Sequence, residues 1–219
     1  MRARFGILLA MACCLAACVR GPRPPLTPSA TSPSPTPLAT SASLTGSVVI
    51  EGEADANAAG AIVFLEPIPR VAAPEAIDGA QILVRRGRFE PRLLIVQRGQ
   101  PITWTNLDPI FHGAFSYSSL NAFDLGVYAP NAHRTISLAK AGPVRFHCPI
   151  HVDEGGVVFV APSPHFARAE RTAYAIRGVP PGRYWLSAWT DGWVAAAREV
   201  TLHAGESAHT DVRMRRERD

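Results

Sequence analysis

The sequence predicts an all-β fold of the sandwich or barrel type, and three observations support this prediction. Short runs rich in Val, Ile and aromatic residues recur along the 219-residue chain. Turn sequences such as RGQP, KAGP, VPPG and TDGW separate these runs. After residue 44, no apolar pattern with the helical period is long enough for a core helix. Many short strands at this spacing are typical of sandwiches and barrels.

The first 43 residues are predicted to lie outside this fold. Residues 1–18, MRARFGILLAMACCLAAC, place two arginines before an apolar run that is too short to span a bilayer, as in a signal peptide. The ending LAAC resembles a bacterial lipobox, which implies cleavage before Cys18 and a lipid on its thiol. The alternative is an ordinary signal peptide with a chance cysteine. Residues 19–43 are rich in Pro, Ser and Thr and are predicted to form an extended tether.

The net charge and the cysteine positions limit the classes of function that the sequence allows. The net charge of +4 comes from 22 basic and 18 acidic residues, without a basic stripe that alternates with aromatic residues, so no nucleic-acid partner is predicted. If Cys13 and Cys14 leave with the signal peptide and Cys18 carries lipid, Cys148 remains without a disulfide partner in the chain. Such a cysteine is a reactive thiol, a buried inert thiol or a metal ligand.

The β-strands are predicted from the alternation of apolar and polar residues. They span residues 47–52, 61–67, 92–106, 134–138, 143–148, 156–162, 183–190, 198–202 and 209–214. In the fifth of these, Val144, Phe146 and Cys148 share one face because side chains two apart point the same way. Cys148 is therefore expected to point into the core, whereas His147 points towards solvent.

The stretch HCPIHVDEGG contains the candidate site. Cys148 and His151 form a Cys-x-x-His pair at a strand end, Glu154 follows three residues later, and His112 lies upstream in WTNLDPIFHGAF. One Cys, two His and a weak fourth ligand suit copper in electron transfer, and the same donors in a tetrahedron suit zinc. The alternatives are a buried apolar role for Cys148, a loop cap for His112, and surface positions for His151 and Glu154.

The remaining candidates are expected to have no part in this site. Trp104 shares a strand face with Ile102 and is predicted to pack in the core. The side chains predicted to meet solvent are those of Asp153, His133, His147, His165, His203 and His209.

Two long segments resemble the cupredoxin family. They are RLLIVQRGQPITWTNLDPIFHGAFSYSSLNAFDLG and PVRFHCPIHVDEGGVVFVAP, within residues 80–165, and they are most similar to the plastocyanin and amicyanin type. The resemblance implies a Greek-key sandwich in which His112, Cys148 and His151 hold one copper ion of the type 1-like or red type. Members of the family use this site to pass single electrons, and this chain is expected not to be an enzyme in itself. Nothing in the sequence resembles a nucleophile with its base.

This sequence matches the cupredoxin pattern at specific positions and departs from it at two others. Residues 106–108, Asn-Leu-Asp, precede His112 as in the family, and the loop Cys-x-x-His-x-x-Met is matched except that Glu154 replaces the methionine. A glutamate favours Cu(II), or completes a zinc site; if it swings into solvent, a three-ligand site remains. The family often has Asn after the first histidine, where its amide braces the cysteine sulfur, and Gly113 lacks that amide.

The segments that flank this region resemble a second module. SLTGSVVIEGEADANAAGAIVFLEP and TAYAIRGVPPGRYWLSAWTDG are similar to carboxypeptidase-regulatory-like β-sandwiches. Residues 44–75 and 167–214 are thus predicted to form a small β-sandwich into which residues 80–165 are inserted. Alternatively, residues 44–66 add edge strands to the inserted domain.

The function expected from these features is electron transfer by a lipid-anchored copper protein in the bacterial cell envelope, at the outer membrane and facing the periplasm. Pro149, Ile150 and Val152 give His151 an apolar rim that predicts transient docking of a redox partner protein, with plain loop packing as the alternative. The other hypotheses are a module that sequesters or senses copper or zinc without redox turnover, and a structural lipoprotein with a vestigial site.

Overall fold

The computed structural model describes residues 40–52, 58–70 and 78–217. These residues form 18 strands and no helix, which confirms the all-β prediction. None of the described segments contains a helix long and apolar enough to cross a membrane. The predicted signal peptide, Cys18 and most of the predicted tether lie outside the described residues.

The strands follow one another along the chain with short connections. They are β1 (Ala42–Ile50), β2 (Ile62–Ile68), β3 (Ala80–Val84), β4 (Phe89–Glu90), β5 (Leu93–Gln97), β6 (Pro101–Asn106), β7 (His112–Ser116), β8 (Phe123–Tyr128), β9 (His133–Ser137), β10 (Gly142–His147), β11 (Gly155–Ala161), β12 (Phe166–Arg168), β13 (Ala173–Val179), β14 (Gly182–Thr190), β15 (Trp193–Val194), β16 (Arg198–Leu202), β17 (Ser207–His209) and β18 (Val212–Arg216). β1 begins within the range that composition assigned to the tether.

The two ends of the described chain build one nine-stranded sheet. Its order is β12-β2-β14-β15-β18-β1-β13, with β16 paired to β14 and β17 paired to β1. Alternation in β1 buries Leu44 and Val48, which pack with Leu65, Ile176 and Met214 from the other strands. Burial of this apolar face holds the first strands against the last ones, although more than a hundred residues separate them in sequence.

The middle of the chain builds two further sheets. A five-stranded sheet has the order β5-β11-β10-β7-β8, and a four-stranded sheet has the order β4-β3-β6-β9. They share a core that includes Ile82 and Trp104 from the second sheet and Tyr128, Phe146 and Val158 from the first. Trp104 is fully buried and meets Phe146 edge-on at 5.9 Å, so its predicted core role is confirmed.

The five-stranded sheet also packs against the nine-stranded sheet. Phe159 of β11 stacks on Trp189 of β14, with ring centroids 5.3 Å apart, and both lie in one apolar cluster with Ile62 of β2. An ion pair between Arg145 and Asp191 joins the same two sheets. Whether the flanking strands and residues 80–165 are two domains that fold independently stays a prediction.

Candidate metal centre

The architecture brings the ends of β7 and β10 to one edge of the five-stranded sheet. The two strands are antiparallel neighbours, with His147 opposite Phe115. His112 is the first residue of β7, and Cys148 directly follows β10. Because antiparallel strands place the start of one beside the end of the other, these two side chains meet at the same edge.

The loop from β10 to β11 is closed by its own backbone. The Cys148 N–H donates to the Glu154 carbonyl at 2.9 Å, and the Glu154 N–H donates to the His151 carbonyl at 3.2 Å. Gly155 then continues into β11, where a Cβ atom would lie only 2.7 Å from the Phe146 carbonyl oxygen. The glycine therefore lets the loop close tightly enough to turn His151 and Glu154 towards Cys148.

The structure brings all four predicted ligands together. One donor atom from each of His112, Cys148, His151 and Glu154 lies within 4.8 Å of the others. Glu154 Oε2 is 2.8 Å from His112 Nδ1 and 3.3 Å from His151 Nδ1, and Cys148 Sγ is 3.5 Å from His151 Nδ1. Ligands bound tetrahedrally to one ion at about 2.0–2.3 Å would lie about 3–4 Å apart. Metal ligation itself stays a prediction.

Burial divides the four side chains into an inner group and an outer one. His112, Cys148 and Glu154 are buried, and 31% of the His151 side chain is exposed. Glu154 is only 8% exposed, so it lies inside the group rather than extending into solvent. A buried carboxylate is costly unless opposite charge compensates it. The carboxylate here contacts two imidazoles, and a metal cation would provide the missing positive charge.

Asp108 is a further residue at the site, and the sequence analysis gave it no role. Its carboxylate accepts hydrogen bonds from the N–H groups of Arg86 at 2.5 Å and Gly87 at 2.7 Å. Oδ2 also lies 3.2 Å from Nε2 of His112, on the ring edge opposite Glu154. Burial alone would raise the pKa of Asp108, but the two N–H donors and His112 together lower this pKa below its usual value. Asp108 is thus an anionic neighbour of the buried histidine.

Tyr128 is a second neighbour that the sequence did not reveal. It is the cross-strand partner of His112 and is buried. Among the described residues its hydroxyl has no hydrogen-bond partner. Burial raises the pKa of Tyr128 well above its usual value, and nearby Cys148 and Glu154 raise it further. The phenol is therefore a neutral group at neutral pH.

The position of Gly113 has no room for a side chain. A Cβ atom there would lie 2.6 Å from the Gly126 carbonyl oxygen and 2.9 Å from two ring carbons of Pro149. Pro149 directly follows Cys148. Its ring therefore packs directly against the backbone of β7. Glycine at this position therefore allows the residue next to Cys148 to pack closely against β7.

Replacing Gly113 by asparagine is therefore expected to destabilise the protein, by about 1–3 kcal/mol, the usual cost of overpacking. Urea unfolding of the metal-free protein measures this change. Gly126→Asn is the matched control, because Gly126 has open space around it and a φ of 64° that asparagine tolerates. Equal stability of the Gly113→Asn variant and the unmodified protein would contradict the steric account.

The other residues that were considered in the sequence make none of the contacts among the four donors. Asp153 is exposed, and the histidines at positions 133, 147, 203 and 209 are exposed as well. His165 is half-buried rather than fully at the surface, and burial lowers its pKa. The pKa falls because the charged imidazolium loses hydration when it is packed against the protein.

Apolar side chains are exposed on the loops next to the donors. Ile150 and Val152 flank His151, and Val152 is 96% exposed. The loop that precedes His112 adds Leu107, Ile110 and Phe111, all of them exposed. We call these five residues the apolar rim. Exposed apolar side chains grouped in this way are typical of surfaces that contact other proteins.

Comparisons with known proteins give structural likenesses for part of the chain. No family model matches the sequence, and no curated protein matches it. A purple cupredoxin from Nitrosopumilus maritimus is 22% identical over 37% of this chain and 99% of its own, with a TM-score of 0.35. A methionine-to-glutamine mutant of amicyanin in its Cu(I) form is 23% identical over 39% of this chain and 86% of its own, with a TM-score of 0.36.

A third likeness is to a larger protein, the copper-containing nitrite reductase of Thermus scotoductus SA-01. It is 18% identical over 42% of this chain, with a TM-score of 0.36, and only 25% of its own length is covered. These structural neighbours are cupredoxins or contain copper, and the likeness extends over less than half of the present chain.

Proposed function

We propose that the protein is a cupredoxin-type electron carrier that binds one copper ion through His112, Cys148 and His151, with Glu154 as the fourth ligand. The observation that carries this proposal is the convergence of four donor atoms within 4.8 Å at a buried sheet edge. A thiolate, two imidazoles and one weaker donor are a set that suits copper in electron transfer. The sequence resemblance to cupredoxins supports the same assignment.

The chain's own residues give the site two properties that an electron carrier needs. His112, Cys148 and Glu154 are held by paired strands and a closed loop, so the donor set is ordered before any metal binds. A site that moves little between oxidation states spends little energy on rearrangement. Copper, when bound, supplies the one-electron couple.

The second property is a short route to the surface. His151 is the only one of the four donor residues with a substantially exposed side chain. Ile150 and Val152 of the apolar rim flank this side chain in sequence and are exposed, so a partner protein can cover them. We propose that the rim docks a redox partner transiently and that the electron crosses at the His151 ring edge.

The proposal assigns electron transfer rather than catalysis. Four protein donors, if all of them bind the ion, would leave no ligand position for a substrate. It also includes a lipid anchor on Cys18 and a tether that hold the folded part at a membrane of the bacterial envelope, as the LAAC ending favours.

A second candidate is a copper or zinc site without redox turnover. The buried carboxylate of Glu154 favours it, because a hard anionic ligand stabilises Cu(II) or Zn(II) more than Cu(I). Such a site would store or sense metal instead of passing electrons.

Metal titration distinguishes these functions. Protein without residues 1–39 is expected to bind one equivalent of Cu(II) and to develop an intense visible band from thiolate-to-copper charge transfer, with a reversible voltammetric wave. Binding of Cu(II) or Zn(II) without a reversible wave would favour the second candidate. Absence of stoichiometric binding of either metal would contradict both.

A further inference from the structure

Asp108 contacts the buried ring of His112 at Nε2, on the ring edge that faces away from the other donors. Resting on the proposed function, we propose that Asp108 is a positioning residue of the copper site. In the metal-loaded site the Asp108 carboxylate keeps a proton on Nε2 of His112, and Nδ1 is left to bind the metal. The carboxylate also adds negative charge behind this ligand and so lowers the reduction potential.

Backbone groups hold the Asp108 carboxylate in place. Arg86 and Gly87, with φ values of 54° and 66°, form the two-residue turn between β3 and β4. Reciprocal hydrogen bonds between Arg85 and Arg88, at 2.9 and 3.1 Å, close this turn. The turn directs two successive N–H groups at Asp108, one to each carboxylate oxygen. This anchoring does not involve the metal donors, so the carboxylate is in place before metal binds.

The loop between β6 and β7 fixes the same residue from the other side. The Asp108 N–H donates to Asn106 Oδ1 at 2.9 Å, and Asn106 Nδ2 donates to the Ile110 carbonyl at 2.8 Å. Asn106 is fully buried at the end of β6. The Asn-x-Asp segment therefore shapes the path that leads into His112, and its aspartate points at the ring.

The contact with His112 determines which ring nitrogen keeps a proton. Nε2 is buried and lies 3.2 Å from Asp108 Oδ2, although the N–H direction is not aligned for a linear hydrogen bond. A protonated Nε2 places a partial positive charge 3.2 Å from this anion, whereas an unprotonated Nε2 places a partial negative charge there, which is unfavourable. Nδ1 faces Glu154 in the cluster of donors. With Glu154 engaged by a metal ion, Asp108 is the carboxylate that remains to hold a proton on the ring, so Nδ1 is the donor and is strengthened.

The two histidines of the site differ in this respect. In the part of the chain that the structure describes, the only carboxylate in contact with His151 is Glu154, which lies at its Nδ1 atom. His112 has one carboxylate at each ring nitrogen. The added charge behind His112 stabilises Cu(II) relative to Cu(I), so its loss raises the potential.

The test compares Asp108→Asn with Asp153→Asn, which removes an exposed carboxylate beside the loop. Asp108→Asn is expected to weaken Zn(II) and Cu(II) binding about 10- to 100-fold and to raise the reduction potential. Asp153→Asn is expected to change neither. Nitrogen-15 NMR of the His112 ring in Zn(II)-loaded protein is expected to find the proton on Nε2.

The outcomes separate this inference from the proposed function. Unchanged affinity and potential in Asp108→Asn would overturn the inference while copper binding by the unmodified protein stands. Zinc bonded to Nε2 of His112 would overturn it too, and so would a loss of thermal stability as the sole effect. If the unmodified protein binds no metal, the proposed function fails, and the positioning role, which rests on it, fails with it.

Discussion

Replacement of Cys148 by alanine is expected to abolish the intense visible absorption of the copper-loaded protein. The band requires a copper–thiolate bond, and Cys148 is the only cysteine outside residues 1–39. Loss of a ligand should weaken Cu(II) binding by more than the 10- to 100-fold typical of an altered ligand neighbour. Visible spectra at one equivalent of Cu(II) and competition with a chelator measure the two effects.

The matched control is the neighbouring residue on the other face of the strand. His147 is exposed and outside the group of four donors, so His147→Ala should keep both the band and the affinity. Thermal unfolding of the metal-free Cys148→Ala variant shows whether the core tolerates the smaller side chain. A band of full intensity in a folded Cys148→Ala protein would mean that copper does not bind through this thiol.

Alternation along a single strand made the orientation of Cys148 predictable. Phe146 and Cys148 are buried and His147 is exposed, as the two-residue period of β10 requires. The loop that follows is short enough for His151 and Glu154 to approach the same point. The short spacing of residues along the chain, which can be read directly from the sequence, was therefore sufficient to group three of the four candidate donors.

The assignment of consecutive strands to different sheets was not predictable in the same way. Residues 92–106 were interpreted as one strand-like segment, but they form β5 and β6, with a turn at Gly99 where φ is 77°. β5 belongs to the five-stranded sheet and β6 to the four-stranded sheet. The turn sequence RGQP is visible, but the sheet that each strand joins depends on long-range pairing.

The neighbours of His112 depend on such long-range pairing as well. Asp108 is held by a turn that precedes it by some twenty residues, and Tyr128 faces His112 only through the register of β7 and β8. Neither relation leaves a periodic pattern in the sequence. The lack of room for a side chain at Gly113 likewise became visible only with the positions of Pro149 and Gly126.

Replacement of Glu154 by glutamine is expected to raise the reduction potential. The glutamate places a full negative charge within 2.8 Å of one donor nitrogen and 3.3 Å of the other. Such a charge stabilises Cu(II) more than Cu(I), and glutamine keeps the shape while removing the charge. For a one-electron couple, a tenfold loss of preference for Cu(II) corresponds to about 59 mV.

Voltammetry of the copper-loaded variant is thus expected to show an upward shift of at least about 59 mV. Asp153→Asn controls for charge near the loop, because this carboxylate is exposed and screened by water. If Glu154 contributes only packing, the glutamine variant keeps its potential. An unchanged potential would therefore mean that Glu154 does not bind copper and that the site has three ligands. A shift with Glu154→Gln but not with Asp153→Asn would identify the buried glutamate as the residue that sets this site apart from one with a methionine ligand.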